Sequence, residues 1–454
     1  MQKNKPKLIT DLNFYKLLFV IALPITLQNI VIFLTQMLDI IMLGSLGDVT
    51  ISAASLANQP FFLFYMLTFG IGSGATVLTA QYWGKKELVP IKKIIAMIIQ
   101  LSCVVGLLVF LIMYLYPEKT MSLFTKDSAV IKEGAKYLKI ICFSFPIFGF
   151  VNAYYISLRS VEVVMVATIS TLTALITNAS LNYILIFGNF GFPARGIEGA
   201  AIATLVARSV EFFIAIIYMF FIDKKLMFSL KIFFARDKIL FGDLLKVGSP
   251  VMINEFVWAL GISMQAVLLG HISTSAVAAN SIITIVQELA TVAALGIAGS
   301  AAVLIGKSVG EEKEQEALDR GFTFSAISIV VGIFVFALIL SSRNFAISLY
   351  NITDEVKALA HQMIYITAIL GFFISISSTG IIGVLRGGGD TKYALYIEIF
   401  ALWCVAIPAA YFCAFVLKLN PVLIYLVMKL DEPIKSVLYL IRVKSDIWIK
   451  NVTR

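Results

Sequence analysis

Twelve stretches of this chain are too long and too apolar to fold in water. They run at roughly 14–44, 51–83, 91–117, 134–159, 162–188, 196–222, 240–270, 276–307, 317–341, 357–385, 392–417 and 420–447. About 20 mostly apolar residues cross the hydrocarbon core of a bilayer. Inside lipid every backbone amide must find a partner, and a helix satisfies its own. Outer-membrane strands alternate with period two, and these runs do not. The expectation is an all-α integral membrane protein of twelve transmembrane helices, with the lipid bilayer as its solvent. Composition agrees, since 60% of residues are hydrophobic and 14% charged. A soluble domain runs about 45–50% apolar and about 25% charged.

The first sixty-odd residues after Pro24 recur 226 positions later without a gap. Pro24 falls on Pro250, Gly44 on Gly270, Ser55 on Ser281, Gly70 on Gly296, Ala75 on Ala301 and Gly84 on Gly310. Leu158-Arg159-Ser160 answers Leu385-Arg386-Gly387 with a slip of one. Two similar hydrophobic halves are a common organisation in transporters. The charged connection Asp223–Lys238 is the one real linker. It divides the chain into a six-helix lobe at 1–222, a linker at 223–239 and a six-helix lobe at 240–454. An even number of spans per lobe implies a pseudo-twofold axis along the membrane normal.

The net charge of +9 is spread over loops and forms no single basic stripe, so nucleic acid is not a partner. The Lys and Arg read instead as topology signals. Lys3, Lys5 and Lys7, then Lys85, Lys86, Lys92 and Lys93, then the linker, then Arg442, Lys444, Lys450 and Arg454 all fall on one side of an even-span protein. That side is expected to be the cytoplasm, with both termini there. The connection after the third segment is an exception, with Lys119, Lys126, Lys132, Lys136 and Lys139 diluted by Glu118, Asp127 and Glu133. The four cysteines lie inside apolar segments with no metal or disulfide spacing. No cleavable signal peptide is read at the amino end. A single chain is expected to act as a monomer.

An ionised side chain at a helix centre costs about 2.5–3.5 kcal/mol on insertion scales, so each one asks for a reason. Asp39 lies deep in the first segment, with Thr35 and Gln28 at helical spacing on its face. Asn178 and Asn182 stand one turn apart in the fifth segment, and Thr204 lies in the sixth. Carboxylate, amide and hydroxyl oxygens suit a proton or a hard cation such as Na⁺. Asp39, Asn178, Asn182 and Thr204 are therefore candidate ion-coupling residues, with Asp39, Asn178 and Thr204 the set that would hold Na⁺. Arg208 and Glu211 share a face and are expected to neutralise each other.

The second half offers Glu255, five residues after Pro250, with Trp258 one turn away. A lone carboxylate there would take and release protons, or hold a lipophilic cation against the indole face. Gln265 mirrors Asp39 in the repeat, keeping polarity without charge. Glu255, Trp258, Gln265, Glu288 and Gln36 are the candidate cargo contacts. Glu398, Asp431 and Glu432 are weaker candidates, and Lys435 is placed to neutralise Glu432. Most of the 35 Phe are expected to face lipid or core.

Met37-Leu-Asp-Ile-Ile-Met-Leu-Gly44, Ile51-Ser-Ala-Ala-Ser55 and Gly70-Ile-Gly-Ser-Gly-Ala75 through Ala80-Gln-Tyr-Trp-Gly84 resemble the first-lobe signature of the multidrug and toxic compound extrusion (MATE) family. Gly248-Ser-Pro-Val-Met-Ile-Asn-Glu255, Ala278-Ala-Asn-Ser281 and Leu385-Arg-Gly-Gly-Gly-Asp-Thr391 resemble the second. The resemblance implies two six-helix lobes around a V-shaped central cleft. It also implies a secondary antiporter of the cytoplasmic membrane that expels organic cations in exchange for Na⁺ or H⁺, with no other cofactor. By position Asp39 matches the family's first-lobe coupling carboxylate, Asn178 and Thr204 its partners, and Glu255 its second-lobe acid. Two positions depart from it. Asn182 stands where some members carry an acid, and Ser375 where some carry an Asp.

Rival functions need other residues. A flippase for a lipid-linked precursor, found in the same superfamily, needs cations facing the cleft, and Arg208 is the one obvious deep candidate in the first lobe. A membrane-embedded enzyme needs paired Asp or a His/Glu metal set, and no DxxxD or HExxH occurs in any segment. A non-enzymatic transporter is the expectation.

Overall fold

The computed structural model describes residues 5–348 and 352–454, and Lys3, used above as a topology signal, lies outside them. Among the described residues the chain is helical throughout, apart from one isolated bridge between Gly389 and Ile449. The twelve spans are labelled α1 to α12. In the first lobe they are α1 Leu12–Gly44, α2 Asp48–Ala57 continuing as Gln59–Gly84, α3 Leu88–Leu115, α4 Ser128–Ile141 with Ser144–Ser160, α5 Met165–Phe187, and α6 Gly196–Ile217 extended to Ile222. In the second they are α7 Lys238–Ile272, α8 Thr274–Gly310, α9 Glu314–Ser348, α10 Asp354–Ser378 extended to Leu385, α11 Thr391–Glu398 extended to Val416, and α12 Pro421–Met428 with Asp431–Val443.

Among the described residues ten of these are helices long and apolar enough to cross a membrane, and α4 is an eleventh span, bent by 55°. The bend falls one turn before Pro146. Proline has no N–H for the carbonyl four residues back. That carbonyl, Cys142 O, accepts instead from Phe145 N at 3.1 Å, a tighter turn that swings the axis. The same logic breaks α12, where the sequence predicts one helix over 420–447. Pro433 cannot bond Lys429 O, and the chain turns at Lys429–Leu430.

The lobes meet along α1, α2, α7 and α8, and the repeat explains how. Gly70 of α2 crosses α7, where a Cβ would stand 2.8 Å from Met252 Cα. Its repeat partner Gly296 crosses α1, against Thr26 and Ala22 O. One turn on, a Cβ on Gly74 would stand 2.6 Å from Gly248 Cα. At the helix ends the contact is reciprocal, with Gly84 against Lys307 O and Gly310 against Gln81 O. A side chain at Gly70, Gly74, Gly84, Gly296 or Gly310 would hit backbone of the facing helix, so the close crossings depend on its absence.

Most of the polar contacts that join the lobes gather on that same side. Lys307 pairs with Glu162 at 2.6 Å. Lys7 N donates to Asp319 and Ile9 N to Thr323. The final segment also straps the seam. Trp448 is fully buried in the second lobe. Beyond it Lys450 O and Val452 N bond the two ends of the Gln81 amide of α2, at 3.0 and 2.8 Å. Asp390, 1% exposed, anchors the strap through Lys450 at 2.6 Å and Arg442 at 2.7 Å. The connection from α6 to α7 lies against the first lobe, with Gln100 donating to Phe233 O at 2.6 Å. The lobes are thus closed on the side that carries the Lys-rich connections. The Gly44 and His271 ends of α1 and α7 lie at the opposite side.

Candidate functional site

Asp39 sits five residues before the end of α1, half-buried, facing α5. Asn182 Nδ2 donates to Asp39 Oδ1 at 2.6 Å and to Asn178 Oδ1 at 3.1 Å. Asn178 Nδ2 in turn donates to Thr204 Oγ1 of α6 at 3.1 Å. The three helices are thereby linked through one polar chain. Asn178 and Asn182 are at most 1% exposed. Helical spacing accounts for their placement, since residues four apart stack on one face. Tyr137 of α4 is buried beside them, its hydroxyl turned to Asn58 and Thr204.

Of the side-chain atoms that link Asp39, Asn182, Asn178 and Thr204, the buried Asn182 Oδ1 has no hydrogen-bond partner among the described residues. A buried acceptor left open beside a carboxylate is unfavourable without a proton or cation to share. The surrounding donors are all oxygens, from one carboxylate, two amides and one hydroxyl. That set fits a proton or a monovalent hard cation. Among the described residues no cluster of three or more Asp, Glu, His or Cys is arranged to hold a metal ion.

Two expectations about the stripe on α1 are corrected. Thr35 does not serve Asp39, because its hydroxyl donates to Val31 O of its own helix at 2.8 Å. Gln28 lies lower, accepting from Arg159 Nη2 at 2.8 Å and donating to Thr171 at 3.4 Å. Gln36 is exposed three residues before Asp39. The expected Arg208–Glu211 pair forms at 2.7 Å, and the guanidinium lies 4.9 Å from the Phe148 ring centre. Phe61 and Phe64 pack on Phe145 and Phe148 inside the first lobe.

The second lobe departs further from expectation. Glu255 is not a lone carboxylate. Arg386 of α10 pairs with its Oε1 at 2.6 Å, and the same guanidinium donates to Asn254 Oδ1 at 2.5 Å and to Ser73 Oγ of α2 at 3.2 Å. Arg386 is 2% exposed and Glu255 7%. Desolvated charges of this kind persist only when each finds its counterpart. The sequence reading took Glu255 as a lone carboxylate because its partner, Arg386, lies 131 residues away. Trp258 is half-buried one turn along, and Glu288 is exposed on α8. Gln265, the counterpart of Asp39, donates to Met428 O at 2.7 Å and accepts from Lys429 Nζ at 2.8 Å.

Arg159 and Arg386 are candidate-site residues that sequence reasoning passed over. The signal was present in the repeated Leu-Arg pair. Each arginine bonds the amide at the same repeat position, Gln28 in one lobe and Asn254 in the other.

The sequence profile of the family described as MatE matches residues 24–184 and again 250–412, one copy per lobe. The chain belongs to the MatE family. This MatE chain is 27% identical over 441 residues to a probable multidrug resistance protein NorM of Thermotoga maritima, covering 96% of itself and 93% of that protein. Its fold matches the Vibrio cholerae MATE transporter VcmN at a TM-score of 0.87 and 18% identity, covering 97% and 98% of the two chains. It also matches a MOP superfamily transporter from Pyrococcus furiosus, described as having a binding pocket of reverse polarity, at a TM-score of 0.86 and 18% identity, covering 95% and 96%. The chain is therefore a multi-pass membrane transporter with twelve helices in two lobes. Both halves of the internal repeat are halves of the family's fold.

Proposed function

We propose that this chain is a secondary active multidrug efflux antiporter, exporting organic cations in exchange for Na⁺ or H⁺ by alternating access. The observation that carries the reading is the Asp39–Asn182–Asn178–Thr204 chain, with an unpartnered buried oxygen at Asn182. A coupling ion has a set of oxygens to enter there, and a cationic cargo competes for the same carboxylate. The Thermotoga relative's description as a multidrug resistance protein supports the cargo class.

The lobes are closed on the Lys-rich side. With that side cytoplasmic, as the positive charges favour, this is the outward-facing state of a protein in the cytoplasmic membrane with both ends inside. An ion arriving at Asp39 from outside changes the balance between this state and one open to the cytoplasm. It can do so only by binding the two states differently. Carrying one charge through 100 mV is worth about 2.3 kcal/mol, enough to bias such an equilibrium. The flippase alternative has less support. Arg386 is paired with Glu255 and Arg208 with Glu211, so two of the three deep arginines are neutralised.

The test is transport in proteoliposomes with Na⁺ and H⁺ gradients imposed separately and ethidium as cargo. Uphill uptake driven by either gradient, and lost in D39N, is the expected result. Equal movement with no gradient, or gradient-driven movement in D39N, overturns it.

A further inference from the structure

The turn that follows each Leu-Arg pair has a use beyond placing the two arginines. Asp390 N donates to Leu385 O at 2.8 Å, and Val163 N to Leu158 O at 3.0 Å. The residue before each donor is left-handed, Gly389 at φ +88° and Glu162 at φ +60°. The same turn is thus repeated in both lobes. In each, the segment that leaves the lobe's last helix docks on it. In the first lobe Lys225 Nζ donates to Val161 O at 3.1 Å and to Glu162 O at 3.4 Å. In the second, Lys450 N donates to Gly388 O at 2.7 Å. The glycines after Arg386 make room for that segment. A Cβ on Gly388 would stand 2.3 Å from the Trp448 ring, and one on Gly389 2.4 Å from Lys450 O. Only glycine lets two stretches of backbone come this close.

Beyond the shared dock the two segments part ways. The first remains on its own lobe, where Leu226 and Phe228 are buried and Phe228 packs edge-on to Tyr154 of α4. The second crosses the seam. Val452 packs on the first-lobe core, and its N–H donates to Gln81 Oε1 of α2 at 2.8 Å. Lys85 Nζ, just past α2, donates to the main-chain oxygen of Arg454 at 2.9 Å. Gln81 is fully buried, and both ends of its amide bond the tail. The two grips are unequal. The second lobe holds the tail by the fully buried Trp448 and by Asp390, which Lys450 shares with Arg442. The first lobe holds it by neutral hydrogen bonds, one lysine and the half-buried Val452.

We infer that residues 451–454 are a latch on the Lys-rich side, released from α2 and carried off by the second lobe each time that side opens. The inference rests on the alternating-access reading and names a contact that has to break in it. Rocking the lobes apart on this side separates α2 from the Asp390 turn. A strap bonded to both cannot follow both. The grip that yields is the one that exchanges hydrogen bonds for water, because a protein–protein hydrogen bond is worth little more than the water bonds replacing it. Withdrawing Trp448 would instead expose a large apolar ring, and breaking the Asp390 pairs would strand a buried charge. No covalent bond changes.

The test is pulsed electron paramagnetic resonance in nanodiscs, across a range of Na⁺ and pH, with the four native cysteines replaced by alanine. Spin labels go on three exposed positions: K86C on the first lobe, K392C on the second and R454C on the tail. In every condition that lengthens the K86C–K392C distance, the K86C–R454C distance should lengthen in the same fraction of molecules. The K392C–R454C distance should stay fixed. Deleting residues 451–454, which leaves Trp448 in place, should raise the open-to-closed ratio of the K86C–K392C pair about fivefold, the effect of losing one or two such hydrogen bonds. A K86C–R454C distance that holds while the lobes part overturns the latch and leaves alternating access standing, as does an unchanged ratio after the deletion. A K86C–K392C distance that never lengthens overturns the alternating-access reading, and the latch with it.

Discussion

The two lobes are built to one plan and charged to two. Where the first places Asp39 against Asn182, the second places Gln265 against Lys429. Where the second pairs Arg386 with Glu255, the first leaves Arg159 bonded to Gln28, with no carboxylate pairing it among the described residues. The acid position Glu255 falls on Asn29 in the repeat. Backbone crossings did not diverge in this way. Gly70 and Gly296, and Gly84 and Gly310, still do the same job on opposite sides of the pseudo-axis. Packing at a close helix crossing tolerates no substitution that adds atoms, whereas a polar position asks only that its partners change with it. The duplicated fold was kept by sterics and the chemistry was free to become asymmetric.

The strongest way to break this comparison is Asp39→Asn. If the first lobe carries coupling, ethidium efflux against a gradient should fall to the level of cells lacking the protein, at unchanged expression. Full resistance in that variant would move the engine to the second lobe. Next is Glu255→Ala, which leaves Arg386 desolvated and unmatched. Breaking a buried pair from one side costs about 3–5 kcal/mol, seen as a large fall in melting temperature in detergent. Removing both partners, as Glu255→Ala with Arg386→Met, should recover much of it, and no recovery would show that the arginine has a separate role through Ser73.

A smaller effect tests the shared crossings. Gly310→Ala pushes a methyl onto Gln81 O, and overpacking of this kind costs about 1–3 kcal/mol. Gly84→Ala should cost a similar amount, because the contact is reciprocal. A clear inequality between the two would show that the pseudo-symmetry is only approximate at the closed side. The smallest concerns the strap. Gln81→Ala removes both hydrogen bonds to Lys450 and Val452, about 1–3 kcal/mol for buried groups left open. It should favour opening on the Lys-rich side, read as faster cysteine labelling along that seam. Arg454→Ala, at an exposed pair with Asp243, should leave labelling unchanged.

Much of the protein could be read before any coordinates. Length and apolarity of the segments dictated helices, because lipid offers the backbone no other partner. The 226-residue repeat implied two like lobes, while only the packed structure showed that its glycines stand where those lobes touch. Asp39 and the Asn178–Asn182 pair were legible because local helical periodicity puts four-apart residues on one face. Only the tertiary structure decided which charges meet. Arg386 reaches Glu255 across 131 residues, Lys435 gathers Glu398 from another helix, and Lys429 finds Gln265 across 164. Helix periodicity extends along one helix and says nothing about its neighbour's rotation. Charge pairing between helices is set by that rotation, so it appears only when all twelve are packed.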